Sequence, residues 1–188
     1  MNGHLEIALF NSMSTIAETL AGAMGLLGAI VLFALQATAR SIERAAENLT
    51  QVPQQSMSEL YLSHLLTRRS YHELARAYGA LLSSHSSETN SSMLLHYSAL
   101  TWELDHDHAL RRSFWMSLRA TGVVITFSII CGAIAPELAE RSDVGEIALA
   151  GGVLGAIACL VLYGILLNVM LRSSPQEPIP TARAGEEL

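Results

Sequence analysis

The sequence predicts an all-α integral membrane protein with three transmembrane helices. Its N-terminus lies outside, its C-terminus in the cytoplasm, and a cytoplasmic helical hairpin separates spans 1 and 2. Three observations carry this. The 188 residues are 51% hydrophobic and only 15% charged, against roughly 25% charged in an ordinary soluble domain, and mean hydropathy is +0.35. The chain holds three uncharged runs near the length a bilayer demands, about 20 residues for a hydrocarbon core about 30 Å thick. Its basic residues are also spread very unevenly about those runs. A net charge of −6 excludes a nucleic-acid binder, apolar richness excludes a disordered chain, and two cysteines exclude a disulfide scaffold.

Taken in order, residues 1–17 form a short outer segment in which Leu5, Ala8, Leu9 and Phe10 suit the membrane interface. The first span, 18–39, rests on the 21 uncharged residues between Glu18 and Arg40. Good helix formers in ARSIERAAENL carry the helix beyond the membrane until Val52-Pro53 stops it. Residues 40–113 are the cytoplasmic helical segment. Ser56-Met57-Ser58-Glu59 has the capping-box pattern and starts a helix with Met57, Leu60, Tyr61 and Leu65 on one face. Ser70-Tyr71-His72-Glu73 repeats the pattern, either restarting a helix that carries Leu74, Tyr78, Leu81 and Leu82 or sitting mid-helix. The polar stretch 83–92 is a linker. A further helix begins near Met93, shows the stripe Met93, Tyr97, Leu100 and Leu104, and feeds without a break into the second span.

The second span, 114–136, is the shortest, with 17 uncharged residues between Arg119 and Glu137. It lengthens if Arg119 snorkels above an aromatic belt of Phe114 and Trp115. Pro136 and the charged group Glu137, Glu140, Arg141 and Asp143 make an outer turn, 137–146. The third span, 147–171, holds the 25 uncharged residues between Glu146 and Arg172, and the proline-rich tail, 172–188, reads as disordered.

Orientation follows from the arginines. Eight lie in 40–119 and two in the tail, with Arg141 alone in the turn, so the positive-inside rule puts the middle segment and tail in the cytoplasm. All eleven basic residues are arginine, which we read as a bacterial signature; the expected location is the bacterial inner membrane.

Small residues are the most informative feature of the spans. Ala21, Gly25 and Ala29 recur at every fourth position of the first, and Gly151, Gly152 and Gly155 form adjoining stripes on the third. Such stripes let helix backbones approach closely in lipid; they predict self-association, with packing of the three helices of one chain against each other as the alternative. Thr121, Thr126 and Ser128 offer a polar lining in the second span. No charged group lies at mid-membrane on this reading, because Glu18 and Glu146 fall at the outer ends of spans and Arg119 near an inner end. Cys131 and Cys159 differ in depth by roughly 9 Å at 1.5 Å per residue, which disfavours a disulfide. The metal-like constellation is His96, Glu103 and His106, where Glu103 and His106 have the Glu-x-x-His spacing of a metal-binding helix face. Its alternative is a solvated helix face.

The order of elements resembles the ExbB/TolQ proton-channel family: an outer N-terminus, one span, a large cytoplasmic helical segment, then two spans joined by a short outer turn. The resemblance covers about Glu18 to Leu171 in arrangement. Thr121-Gly122 is the faint counterpart of that family's second-span glycine motif, and no acid follows Glu146 in the third span. What the layout implies is a channel or energy-coupling subunit without the family's buried acid. The leading expectation is a non-enzymatic, oligomeric inner-membrane scaffold or accessory subunit. Its partners are the bilayer, further copies of itself and a cytoplasmic or membrane protein, with no cofactor and no nucleic acid. Metal binding through Glu103 and His106 comes third.

Overall fold

A buried residue every three or four positions organises each long helix. The computed structural model describes residues 2–51, 58–84, 91–140 and 142–171. Nearly all are helical: α1 (Asn2–Gln51), α2 (Glu59–Thr67), α3 (Tyr71–Ser84), α4 (Ser91–Ala133), α5 (Ala135–Glu140) and α6 (Ser142–Leu171). Three of these, α1, α4 and α6, are long and apolar enough to cross a membrane. The chain divides into two units, one from Met1–Gln36 and His108–Met170, the other from Ala37–Asp107 and Leu171–Leu188.

In the first unit α1 buries Leu9, Met13, Leu20, Met24, Leu27 and Val31; α4 buries Leu110, Ser117, Thr121, Ser128 and Cys131; α6 buries Cys159, Tyr163 and Leu166. These spacings of three, four and seven keep one face of each helix toward its neighbours over many turns. Three clusters stack along the unit. Leu9 and Met13 meet Cys131 and Ala135. Leu20, Met24 and Leu27 meet Cys159 and Tyr163. Val31 meets Leu110 and Leu166. Ascending numbers on α1 therefore pair with ascending numbers on α6 and descending numbers on α4.

The outward faces are more apolar than the inward ones. Leu26, Phe33, Val123, Ile147 and Leu154 are each more than 60% exposed, whereas Ser117, Thr121 and Ser128 are buried. A helix hydrophobic all round belongs in a membrane or a large core, and here no larger core covers it. Both cysteines are buried and free, in line with the depth argument.

The second unit has the opposite character. Ile42, Ala46 and Leu49 of α1, Leu62 and Leu65 of α2, Leu74, Ala75 and Tyr78 of α3, and Leu100 and Leu104 of α4 form one core. The hairpin expected from sequence is thus joined by the ends of α1 and α4. The α2–α3 turn is a Schellman motif: Ser70 N–H donates to the Leu65 carbonyl at 3.0 Å and Arg69 N–H to that of Leu66 at 2.9 Å. Arg69 takes the left-handed position with φ 54°, where glycine is usual. Its guanidinium lies 3.9 Å from Glu43, an exposed pair that contributes little. The Tyr78 hydroxyl donates to the Leu49 carbonyl at 3.1 Å, tying α3 to α1 inside the core.

Several expectations change. The short N-terminal segment expected over 1–17 is, from Asn2 onward, continuous with the first span in one unbroken 50-residue helix. The helix expected to begin at Ser56 begins at Glu59 behind an extended Ser58, and it buries Leu62 and Leu65 while Leu60 and Tyr61 stay exposed. The outer turn is largely helical, through α5 and the start of α6. By contrast, α3 restarts at Tyr71 and α4 runs unbroken from Ser91, as the patterns predict. Val52-Pro53, Ser56, Met57, the middle of the polar linker, Arg141 and the tail lie outside the described residues.

Burial pushes the Tyr78 phenol above its ordinary 10.0, and burial with the nearby Glu43 does the same for Tyr71. A raised folded-state value means a stability contribution fully present below pH 10 and lost as pH climbs through the raised value. Tyr78→Phe strands the buried Leu49 carbonyl and is expected to cost about 1–3 kcal/mol near neutral pH. The variant should also lose part of the alkaline destabilisation, as hydrogen exchange of α3 amides in detergent would report.

Candidate functional site

The two small-residue stripes have different surroundings. On α6, a Cβ at Gly152 would meet the Met13 Cε and Sδ at 3.1 Å, and one at Gly155 would meet Val124 Cγ2 at 3.0 Å. A Cβ at Gly151 would lie 3.6 Å from the Phe127 ring. Side chains of α1 and α4 of the same chain occupy the space beside these glycines, the intrachain packing that is one of the two readings of the stripe. On α1 the opposite holds. A Cβ at Gly22, Gly25 or Gly28 would meet nothing within 4 Å, and Ala21, Gly25 and Ala29 are exposed.

The hydroxyls of α4 do not line one path. Thr121 Oγ1 donates to the Ser117 carbonyl at 2.8 Å, which lets the Tyr163 hydroxyl of α6 donate to Thr121 across 2.7 Å. Thr126 is exposed and donates back to the Gly122 carbonyl. Ser128 is 1% exposed, and its Oγ has no hydrogen-bond partner among the described residues.

Ser128 borders a groove of about 530 Å³ between α1 and α4, walled by Phe10, Met13, Ala17, Ala21, Ile125, Ile129 and Gly132, with Ser14 and Glu18 on its α1 side. Ser14 Oγ donates to Glu18 Oε1 at 3.0 Å. Glu18 thus sits opposite Ser128, the central residue of the uncharged run 120–136, and just before Leu20, which packs with Cys159 at the centre of the uncharged run 147–171. Sequence reasoning set Glu18 at a span end because charge was used to mark the boundary. Packing sets it near the middle of the two neighbouring runs. The signal was present: Leu9, Met13, Ile16 and Leu20 continue the buried spacing of α1 on both sides of Glu18.

The histidine–acid group in the second unit is not a donor set. Glu103 is 6% exposed and accepts a 2.7 Å hydrogen bond from Ser41 Oγ of α1, a contact 62 residues apart that no local pattern announces. His106 stacks on Trp102, centroids 5.0 Å apart and planes at 7°, an i,i+4 pair legible in the sequence. Among the described residues no three His, Cys, Asp or Glu side chains converge, so His96 is not brought to Glu103 and His106 as a metal site.

Comparison with protein-family models, curated proteins and solved structures returns no match. The depth of Glu18 has a direct check. In broken membranes, with both native cysteines replaced by alanine, Glu18→Cys should react with a membrane-impermeant maleimide about tenfold more slowly, or worse, than Glu6→Cys and Arg44→Cys, because hydrocarbon excludes the reagent. Equal rates would place Glu18 at the water boundary.

Proposed function

We propose that the chain is a non-enzymatic, multi-pass protein of the bacterial inner membrane that associates laterally through α1 and presents its second unit to partners in the cytoplasm. The observation that carries this is the open small-residue face of α1. Gly22 and Gly25 would each accept a Cβ without contact, whereas the comparable α6 stripe is occupied. In lipid, helices join by close backbone approach because the tails are as apolar as the side chains. A face of small residues with nothing against it is therefore suited to another helix, and a further copy of the chain supplies one. The arginine asymmetry supports the cytoplasmic assignment of the second unit, and exposed Leu60 and Tyr61 supply it with an apolar contact.

The two stripes give the test its contrast. Gly25→Leu should lower self-association, read by crosslinking or native mass spectrometry in detergent, and leave thermal unfolding unchanged. Gly155→Leu should destabilise the three-helix unit through collision with Val124. If Gly25→Leu leaves the distribution of species untouched, the lateral reading fails.

One observation favours a second reading, the channel or energy-coupling subunit: an ionisable group near mid-span is costly in lipid and usually functional, and Glu18 is such a group. Proton flux into proteoliposomes that disappears in Glu18→Gln would support it. Flux no higher than in empty liposomes would end it.

A further inference from the structure

We infer that the groove between α1 and α4 binds a lipophilic organic ammonium ion, with its charge against Glu18 and its apolar body against Phe10, Met13, Ile125 and Ile129. The groove borders the small-residue face of α1 at Ala21, while Gly22 and Gly25 lie outside it, so substitution at Gly25 separates this inference from self-association.

The groove has the make-up of a small-molecule site. Its volume, about 530 Å³, falls inside the roughly 300–1,000 Å³ that such sites span. Its walls are apolar, and its polar groups, Ser14, Glu18 and Ser128, gather in one stretch. Few convergent polar groups on apolar walls fix a ligand's orientation and select its head group.

Charge complementarity selects the sign. Glu18 is exposed on the groove, and the hydrogen bond it receives comes from the neutral Ser14. The chain supplies no cation at this level: residues 5–39, 120–136 and 147–171 contain no arginine, lysine or histidine. The chain thus supplies Glu18 with one neutral donor and no opposite charge, and for a carboxylate facing hydrocarbon that charge must come from outside. A second copy fits less well, because its α1 brings another Glu18 and no base.

Ser128 adds an independent pointer. Its Oγ is buried and without a hydrogen-bond partner among the described residues, while Thr121 on the same face is fully engaged. Buried hydroxyls are ordinarily partnered. Ser128 lines the same groove, and an ammonium N–H held by Glu18 becomes its donor once the Ser128 side chain turns out of its covered position.

The test uses three compounds with one cage and three heads: 1-adamantylammonium, 1-adamantanol and 1-adamantanecarboxylate. Each is titrated by calorimetry against the full chain in nanodiscs, with empty nanodiscs subtracted. The ammonium should bind saturably, one per chain. The alcohol should bind roughly tenfold more weakly, the scale of a lost charge pair, and the carboxylate not at all. Glu18→Gln should weaken the ammonium about tenfold with thermal unfolding unchanged, Ser128→Ala should weaken it severalfold, and Ile129→Trp should block it by filling the groove with Glu18 intact. Gly25→Leu should leave it unaffected. Equal affinity for ammonium and alcohol, equal affinity in wild type and Glu18→Gln, or no saturable binding would each overturn the proposal. Disulfide capture between Ala17→Cys copies with no ammonium binding would likewise overturn it and name a second copy as the occupant.

Discussion

The seating of the Met13 thioether against the backbone of Gly152 sets the register of the first unit. Met13 is fully buried, and any side chain at position 152 would press on its last two heavy atoms. Close-packed interfaces tolerate little of this, so α1 cannot slide along α6 without losing the contact. In the same register Leu20 meets Cys159 and Val31 meets Leu166, while Glu18 and Ser128 border one groove.

The two units are held by different forces. The second unit is assembled from leucine, alanine and tyrosine around one core, where removal of apolar surface from water stabilises the arrangement. The first unit leaves many leucines, isoleucines and phenylalanines facing outward and buries Ser117, Thr121 and Ser128 among its apolar contacts. Burial from lipid offers those helices no such gain, so they depend on close approach at Gly152 and Gly155 and on the Thr121–Tyr163 hydrogen bond. Serine and threonine suit this role because most of their hydroxyls on α4 bond back to the preceding turn and need no water. Ser128 departs from that pattern.

Element identity was largely legible in the sequence, and helix register was not. The uncharged runs marked α4 and α6 well, the restart at Tyr71 followed its capping pattern, and the stripe from Met93 to Leu104 was a true packing face. These are local signals. Glu18 was set at a span end by reading a charge as a boundary, which works only when every charge lies outside the hydrocarbon, whereas its packing neighbours belong to the middle of the adjacent runs. Which level of α1 faces which level of α4 depends on side chains more than a hundred positions apart. The same distance hid the Ser41–Glu103 bond, while the small-residue stripes of α1 and α6 looked alike because spacing alone does not tell whether a notch is filled.

The unbroken helix from Asn2 to Gln51 bears on how such a chain would enter a membrane. A translocation channel that sorts segments by hydropathy favours residues 19–39, leaving the carboxylate in the aqueous layer. The segment that packs runs from Leu9 to Val31, beginning about ten residues, or about 15 Å of helix, earlier. The most apolar stretch and the packed stretch of the same rod are therefore offset, and α4 and α6, made after it, complete the seat of the first helix.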